Sequence, residues 1–597
     1  ATFSDMLRAF RLNLQALSLL ALFVGVFLVY NTAMFAVVTR RRDAGILRSL
    51  GASRRELVFA FLSEILLLGI VGGAVGAFAG YLLSRFLTGL VASTISNLYF
   101  FLRPSLPAWS WWILVSGILL GCVASLLGGL FPIADLIRSD PVEALRGRSA
   151  GRGQRKAAGK TALAGLPILG ISLLLMHASS LHVYFGFAAA FAVLIGTSLF
   201  SGFTLVQFAA PLKGILRRVS GLAGKIAAGN IRQNLGRTGV AVAAFMVALS
   251  MSIGLSSMIG SFRHSLQWWM GTQLQADLYV GRVGEMEVPE KFYEELKAMP
   301  GVGGVDPFRN VQVAYDDTTI TVSAVDPEVL QKYTHFGWLK GGNENWEPVK
   351  RGEVIVSESF YRRFGARPGD EIFLNGAHGR AGLRVAAVFY DYTSEHGVVM
   401  MARSTYLRVF SDSTINSVGI FIDPGNPRRS ELLDEARRKA RGMGLPVFTR
   451  EQLHEDILSV FDSTFAVTRS MRLLTIVVAF FGIAGALLTL YLERQREFGI
   501  YRALGFSTSQ VAAMTLMEGI GMGLVSFLMS TAVGTALAWV LIRVINLRSF
   551  NWTIFFYPEW QPYALAAATA ALASVGASVY PIWKVYRTYP QMQIREE

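Results

Sequence analysis

With 597 residues, 52% of them hydrophobic, a mean hydropathy of +0.43 and only 16% charged, the chain is too apolar for a water-soluble protein of its size. A net charge of +15 would suit nucleic acid, yet the basic residues lie between apolar runs, as in cytoplasmic membrane loops, so no nucleic-acid partner is expected. Cys122 is the single cysteine and lies in an apolar run, which excludes disulfides and cysteine-based metal sites.

A helix needs about 20 apolar residues to cross ~30 Å of hydrocarbon. Suitable runs occupy 14–38, 57–90, 108–133, 162–177, 184–210, 238–260, 472–492, 511–545 and 562–583. The runs 57–90 and 511–545 exceed the bilayer thickness and predict tilt or protrusion. Arg40, Arg41, Arg42, Arg48, Arg54 and Arg55 flank the first turn, and Arg138, Arg146, Arg148, Arg152, Arg155, Lys156 and Lys160 mark a second. Lys213, Arg217, Arg218, Lys225, Arg232 and Arg237 form a third basic loop, and Arg494, Arg496 and Arg502 a fourth. By contrast, Arg103 stands alone in 91–107. The basic loops are therefore placed in the cytoplasm. Counting back from a cytoplasmic C-terminus puts Ala1 outside. With no signal-peptide pattern at the start, this reading expects further spans upstream and ten in all.

One passage is written twice. Residues Arg42 to Ser53 (RDAGILRSLGAS) reappear as Arg496 to Ser507 (REFGIYRALGFS), at a constant offset of 454 residues. The same offset carries Glu64 onto Glu518, Gly69 onto Gly523 and Gly80 onto Gly534. Further on, Pro132, Ile133, Arg138, Pro141 and Arg146 match Pro581, Ile582, Arg587, Pro590 and Arg595 in identical spacing. Each unit reads as span, charged elbow, long span, outer loop, span and basic tail. In the elbow, residues 40–50 suit a short helix, and Gly51 and Gly505 stand where a helix end takes positive φ. Ser53 to Glu56 and Ser507 to Gln510 fit the capping box that starts the next helix. A simple charge anchor does not need this repeated glycine and serine spacing, so the elbow is read as a docking element. Glu64 and Glu518, about two turns into the long spans, need a partner at that depth. Structural pairing, with Arg48 and Arg502 as candidates, fits one carboxylate per repeat better than a proton relay.

Between about 263 and 468, charges of both signs mix and the apolar runs shorten. A helix is expected over 289–297 with Pro289 in its first turn, a strand at 353–356, and a helix from Ser357 to Phe364 stopped at Gly365. Residues 372–374 and 383–389 predict a hairpin turning at Asn375-Gly376, and Ser430 is expected to cap a helix closed by Gly442. His378, His396 and His454 share no metal-ligand spacing, and no Ser-His-Asp signature is evident. Gly159-Lys160-Thr161 imitates the end of a phosphate-binding loop, but Gln154 stands where its first glycine belongs.

These residues resemble the FtsX/MacB-type permease subunits of ABC transporters. The likeness lies in the two elbows with their following Glu-bearing spans (Arg42 to Glu64, Arg496 to Glu518) and in Gly352 to Glu358 through Gly369 to Ile372, which look like the family's periplasmic core domain. Asn230 to Asn234 is similar to the amphipathic entry helix of such units. The resemblance implies a polytopic α-helical membrane protein with two FtsX-like units and one extracytoplasmic α+β domain. It implies that 40–50 and 494–504 are coupling helices for a separate dimeric ATPase that carries the ATP and Mg, this chain holding no cofactor, metal or catalytic residue. The docking residues on this reading are Arg42, Asp43, Gly45, Ile46, Arg48, Leu50 and Gly51, with Arg496, Glu497, Gly499, Ile500, Arg502, Leu504 and Gly505. Two units in one chain are similar to YbbP-like or bacitracin-resistance permeases.

The expected organisation is a first transmembrane unit over 1–150, linker spans and entry helix over 151–262, the external domain over 263–468 and a second unit over 469–597. The expected role is export or extraction of a lipid, lipoprotein or amphipathic peptide at a bacterial cytoplasmic membrane. Membrane lipid and a periplasmic or extracellular accessory protein are further expected partners. The alternative is a transmembrane signal transmitter that regulates an external hydrolase or senses a peptide.

Overall fold

Seven of the nine apolar runs lie on helices that are long and apolar enough to cross a bilayer, counting one bent pair as a single span among the described residues. The computed structural model describes residues 41–98, 108–138, 151–180, 182–233, 235–281, 287–465 and 495–587, with scattered positions inside 22–33 and 477–488. The predicted runs 14–38 and 472–492 lie outside the described residues, apart from those scattered positions. So do the tail positions Pro141, Arg146, Pro590 and Arg595. The run 184–210 is not one straight helix: Val183–Ser198 and Ser201–Gln233 meet at a 47° bend. Gly159-Lys160-Thr161 sits inside the helix Gly151–Ala178, where no phosphate-binding loop can form.

The described chain divides into two compact units, one holding the described residues of 14–258, 463–541 and 558–597 and the other those of 259–462 and 542–557. In the first, each repeat pairs its long helix with its last one: Arg54–Leu98 with Trp111–Arg138, and Thr508–Val540 with Gln561–Arg587. Lipid gives apolar faces no reason to associate, so close backbone approach must supply the attraction, and glycine permits it. A β-carbon at Gly69 would strike Ser125 Oγ and come 2.8 Å from Gly121 O. The repeat reproduces this contact, because a β-carbon at Gly523 would strike Ser574 Oγ. Symmetry ends at the next pair of equivalent glycines. A β-carbon at Gly80 would meet nothing within 4 Å among the described residues, whereas one at Gly534 would lie 2.7 Å from Ile253 of the helix Leu235–Gln273. Among the described residues, the second long helix is thus packed on more sides than the first. Of the segment likened to an entry helix, 230–233 are helical and Asn234 lies outside the described residues; Ser220 and Gly221 leave helical geometry, and beyond them Ala223, Ala227, Ala228 and Ile231 are buried while Lys225 and Arg232 are exposed.

The second unit is built on a mixed sheet of ten strands: β1 (Leu278–Val280), β2 (Gly304–Tyr315), β3 (Thr318–Val325), β4 (Trp338–Lys340), β5 (Val354–Ser357), β6 (Glu371–Gly376), β7 (Gly379–Phe389), β8 (Val398–Ala402), β9 (Ser417–Phe421) and β10 (Val447–Thr449). Their order is β10-β1-β9-β2-β3-β8-β5-β7-β4, with β6 paired to β7, and only β3/β8 and β5/β7 run parallel. Helices cover the sheet through fully buried Phe292, Trp346, Phe360 and Tyr406. The helix Glu358–Phe364 is capped by Ser357 and stopped by Gly365 at φ 74°, as expected. Two local expectations fail. The β6–β7 hairpin turns at Ala377-His378, not at Asn375-Gly376; a side chain at Gly376 would strike Val409 O, so that glycine serves a close approach. The helix Arg429–Gly442 starts before Ser430, and it is Asn426 Oδ1 that accepts from Arg428 N (2.9 Å) at its entrance. Ile542–Tyr557 also belongs to this unit and not to the second transmembrane unit expected over 469–597.

Two carboxyls in this unit are fully buried. Asp306 accepts from Asp326 N (2.6 Å), and Asp391 from Thr393 N (3.1 Å) and Oγ1 (2.6 Å). Burial pushes Asp306 up to about 7 and Asp391 up to about 6. A raised carboxyl binds its proton more tightly in the folded state. Its stabilising contribution is therefore complete below the unfolded value and lost as pH rises through 6 to 7. Asp412, held down to about 2 against burial by Thr414, Tyr406 and Arg309, changes stability only at lower pH. His454, lowered by burial, acts in the opposite sense and reduces the slope. Going from pH 8 to pH 5 is expected to stabilise the unit by about 2 kcal/mol, or about 5 °C in the midpoint of this unit's own thermal transition, followed in the full chain in nanodiscs. In Asp306→Asn this pH dependence falls by half or more; an unchanged slope contradicts the assignment.

Candidate functional site

The two elbows fold alike, and their geometry is local in origin. The first is the helix Arg41–Ser49, the second the helix Gln495–Ala503. At the first, Leu50 N donates to Ile46 O (3.0 Å), Gly51 N to Arg48 O (3.2 Å) and Ala52 N to Leu47 O (2.9 Å). At the second, Leu504 N donates to Ile500 O (2.9 Å), Gly505 N to Arg502 O (3.1 Å) and Phe506 N to Tyr501 O (3.0 Å). The last bond of each set closes a Schellman end, which requires the next-to-last residue in left-handed geometry. Gly51 has φ 101° and Gly505 φ 96°, where a side chain would be strained.

Both capping boxes form. Glu56 N donates to Ser53 Oγ (3.3 Å) while Ser53 N donates to Glu56 Oε2 (2.8 Å). Gln510 N donates to Ser507 Oγ (3.2 Å) while Ser507 N donates to Gln510 Oε1 (2.9 Å). The glycine stop and the serine start lie two residues apart, so five hydrogen bonds in each copy set the angle between elbow and long span.

The same face of each elbow is buried and the same face is open. Ala44 and its counterpart Phe498 are buried, as is Gly499. Ile46 and Leu50 are 41% and 79% exposed, and their counterparts Ile500 and Leu504 are 45% and 74% exposed. Glu497 is exposed, and Arg48 and Arg502 are half-buried. The side chains of Arg42, Asp43, Gly45 and Arg496 lie outside the described residues. The copies differ in charge just beyond the cap, where exposed Arg54 and Arg55 stand against Thr508 and exposed Ser509. Of the two carboxylates on the long helices, Glu64 is half-buried, and Glu518 is buried and accepts from Asn230 Nδ2 at 2.5 Å. That bond joins the entry helix to the second long span. Nothing in the sequence links Asn230 to Glu518, which lie 288 residues apart.

The family model for the FtsX-like permease C-terminal matches 16–141 and 470–590, and that for the MacB-like periplasmic core domain matches 239–436. An uncharacterized ABC transporter permease of Mycobacterium tuberculosis is 32% identical over 615 residues, covering 100% of this chain and 71% of the relative. The chain belongs to the ABC transporter permeases of the FtsX/MacB type. The permease is also 26% identical over 140 residues to the lipoprotein-releasing system transmembrane protein LolC of Xylella fastidiosa, covering 21% of the permease and 34% of LolC. The periplasmic region of MacB from Actinobacillus actinomycetemcomitans, a solved structure, is 13% identical with a TM-score of 0.25, covering 31% of the permease and 94% of that region.

Sequence reasoning missed the group around Glu358, Tyr392 and Thr553. Glu358 follows a capping serine and reads as an ordinary first-turn acid, and nothing local marks Thr553 as its partner.

Proposed function

We propose that this permease is the membrane subunit of a bacterial ABC complex whose two elbows receive a separate, dimeric ATPase carrying ATP and Mg. The observation that carries the reading is the duplicated open face. Isoleucine and leucine are exposed at equivalent positions of both elbows, beside a helix end held in one fixed geometry. Apolar side chains displayed twice in the same frame suit a partner that is itself two-fold. ATP binding would close the two halves of the partner, draw the elbows together and move the external unit. On this reading the permease lies in the cytoplasmic membrane, with the external unit in the periplasm or outside. The cargo is a hydrophobic molecule such as a lipid, lipoprotein or amphipathic peptide. The similarity to LolC, a transmembrane protein of a lipoprotein-releasing system, supports that class.

Reversing charge in Arg48→Glu with Arg502→Glu is expected to abolish co-purification of the ATPase from membranes at ordinary salt. Because both arginines are half-buried, the thermal midpoint of the variant is measured alongside. A variant that is folded and still fully assembled overturns the docking assignment.

A further inference from the structure

Beyond the long helix Thr508–Val540 the backbone passes through a π-helical segment, Leu541–Asn546, and a short helix, Leu547–Phe550. It then reaches Asn551 in the left-handed conformation (φ 58°) and runs without regular structure to Tyr557. This strap is fastened along its whole length. Thr553 donates from N to Glu358 Oε2 (2.8 Å) and from Oγ1 to Oε1 (2.6 Å), and Arg362 Nε also donates to Oε1 (2.8 Å). Tyr392 OH donates to Thr553 O (2.7 Å). Further along, Phe555 N donates to Ser265 Oγ (2.9 Å) and Tyr557 N to Ser261 Oγ (3.1 Å).

Glu358 is fully buried. Removing a carboxylate from water is costly, and a fold that needed only filling at this point would be as stable with an apolar residue. The carboxylate gains its place by gripping the strap at both oxygens. The grip is nevertheless loaded against permanence. The indole N–H groups of Trp552 and Trp269, both buried in the ring cluster around Tyr392, find no acceptor among the described residues. Opening the strap would let both reach water, which offsets part of the lost bonding. The π segment at the strap's root supplies a place to bend, since helices kink at such irregularities.

We propose that residues 551–557 are a releasable latch, hinged at Leu541–Asn546 and closed by Glu358 and Tyr392 on Thr553, through which movement of the last two spans reaches the external unit. Glu358 and Tyr392 are positioning residues of that stroke. The inference rests on the functional reading above, in that the ATPase supplies the movement.

The test uses the full chain with its ATPase in lipid nanodiscs. Ser261→Cys and Tyr557→Cys are combined with Cys122→Ser, and disulfide formation is followed with and without ATP and vanadate. Closed and open states are expected to differ about five-fold or more in cross-linking rate. Adding Thr553→Val or Tyr392→Phe, which remove one fastening bond with little change of shape, is expected to lower the nucleotide-free rate by about ten-fold. The same two variants without the cysteines should be cut faster by trypsin at exposed Arg548. Rates equal with and without nucleotide, in a complex that hydrolyses ATP, overturn the latch and leave the docking reading intact. A chain that neither binds an ATPase nor stimulates hydrolysis overturns both.

Discussion

Aspartate at Leu50 and Leu504 together is expected to abolish assembly with the ATPase, while either change alone weakens it. Each leucine is about three-quarters exposed in the permease by itself, at 79% and 74%, so little of the fold depends on it. Covering such a side chain in an interface contributes about 1.5–3 kcal/mol. A carboxylate in its place loses that term and adds the cost of taking a charge out of water. One altered elbow is expected to weaken binding about 10- to 100-fold. The intact elbow still holds the partner, and two linked contacts exceed one by about 10²–10⁴-fold. With both altered, that linkage has nothing left to act on, and co-purification at micromolar concentration disappears. Pull-down of the full chain measures binding, and its thermal midpoint, unchanged in all three variants, shows that folding is intact. A double variant that still binds as tightly as wild type means the ATPase grips another surface.

The second large effect is steric. Leucine at Gly73 is expected to separate the helices Arg54–Leu98 and Trp111–Arg138, and leucine at Gly76 to leave them paired. A β-carbon at Gly73 would lie 2.5 Å from Gly117 O and 2.8 Å from the Cα of Ile118. Both obstacles are backbone, so no side-chain rotation relieves the clash and one helix must move away. Overpacking of this kind costs about 3 kcal/mol, and separation also removes the glycine contacts at Gly69 and Gly121. A β-carbon at Gly76, three residues on, would meet nothing within 4 Å among the described residues, so Gly76 tests whether leucine as such is tolerated in this span. Accumulation of the full chain in membranes and its thermal midpoint in detergent are the readouts. Equal loss at both positions would show that helix flexibility, not contact, is what the glycines provide.

The repeat shows where sequence reasoning had grip. Gly51, Gly505 and the two capping boxes act over three to five residues, so the elbow could be drawn from its letters, and its hydrogen bonds follow that drawing at both copies. The same logic located Ser357 and Gly365 around their helix. It misplaced the β6–β7 turn because Asn375-Gly376 is a favourable turn pair, while the need for glycine at 376 comes from Val409, which lies 33 residues further along the chain. It placed 542–557 with the spans because those residues adjoin one, and no nearby residue signals their attachment to Glu358 and Tyr392.

The sequence by itself determined that the chain enters a membrane, that it does so as two related units around an extramembrane domain, and how each elbow stops one helix and starts the next. Span length, charge between spans and backbone handedness are properties of short stretches and need no partner. Only the tertiary structure decided that Glu518 meets Asn230 and that Glu358 holds Thr553, contacts 288 and 195 residues apart. It also decided that Gly534 is packed where Gly80 is open. Such contacts depend on which surfaces the fold brings together, and a buried carboxylate is written in the chain with the same letter as one that faces water.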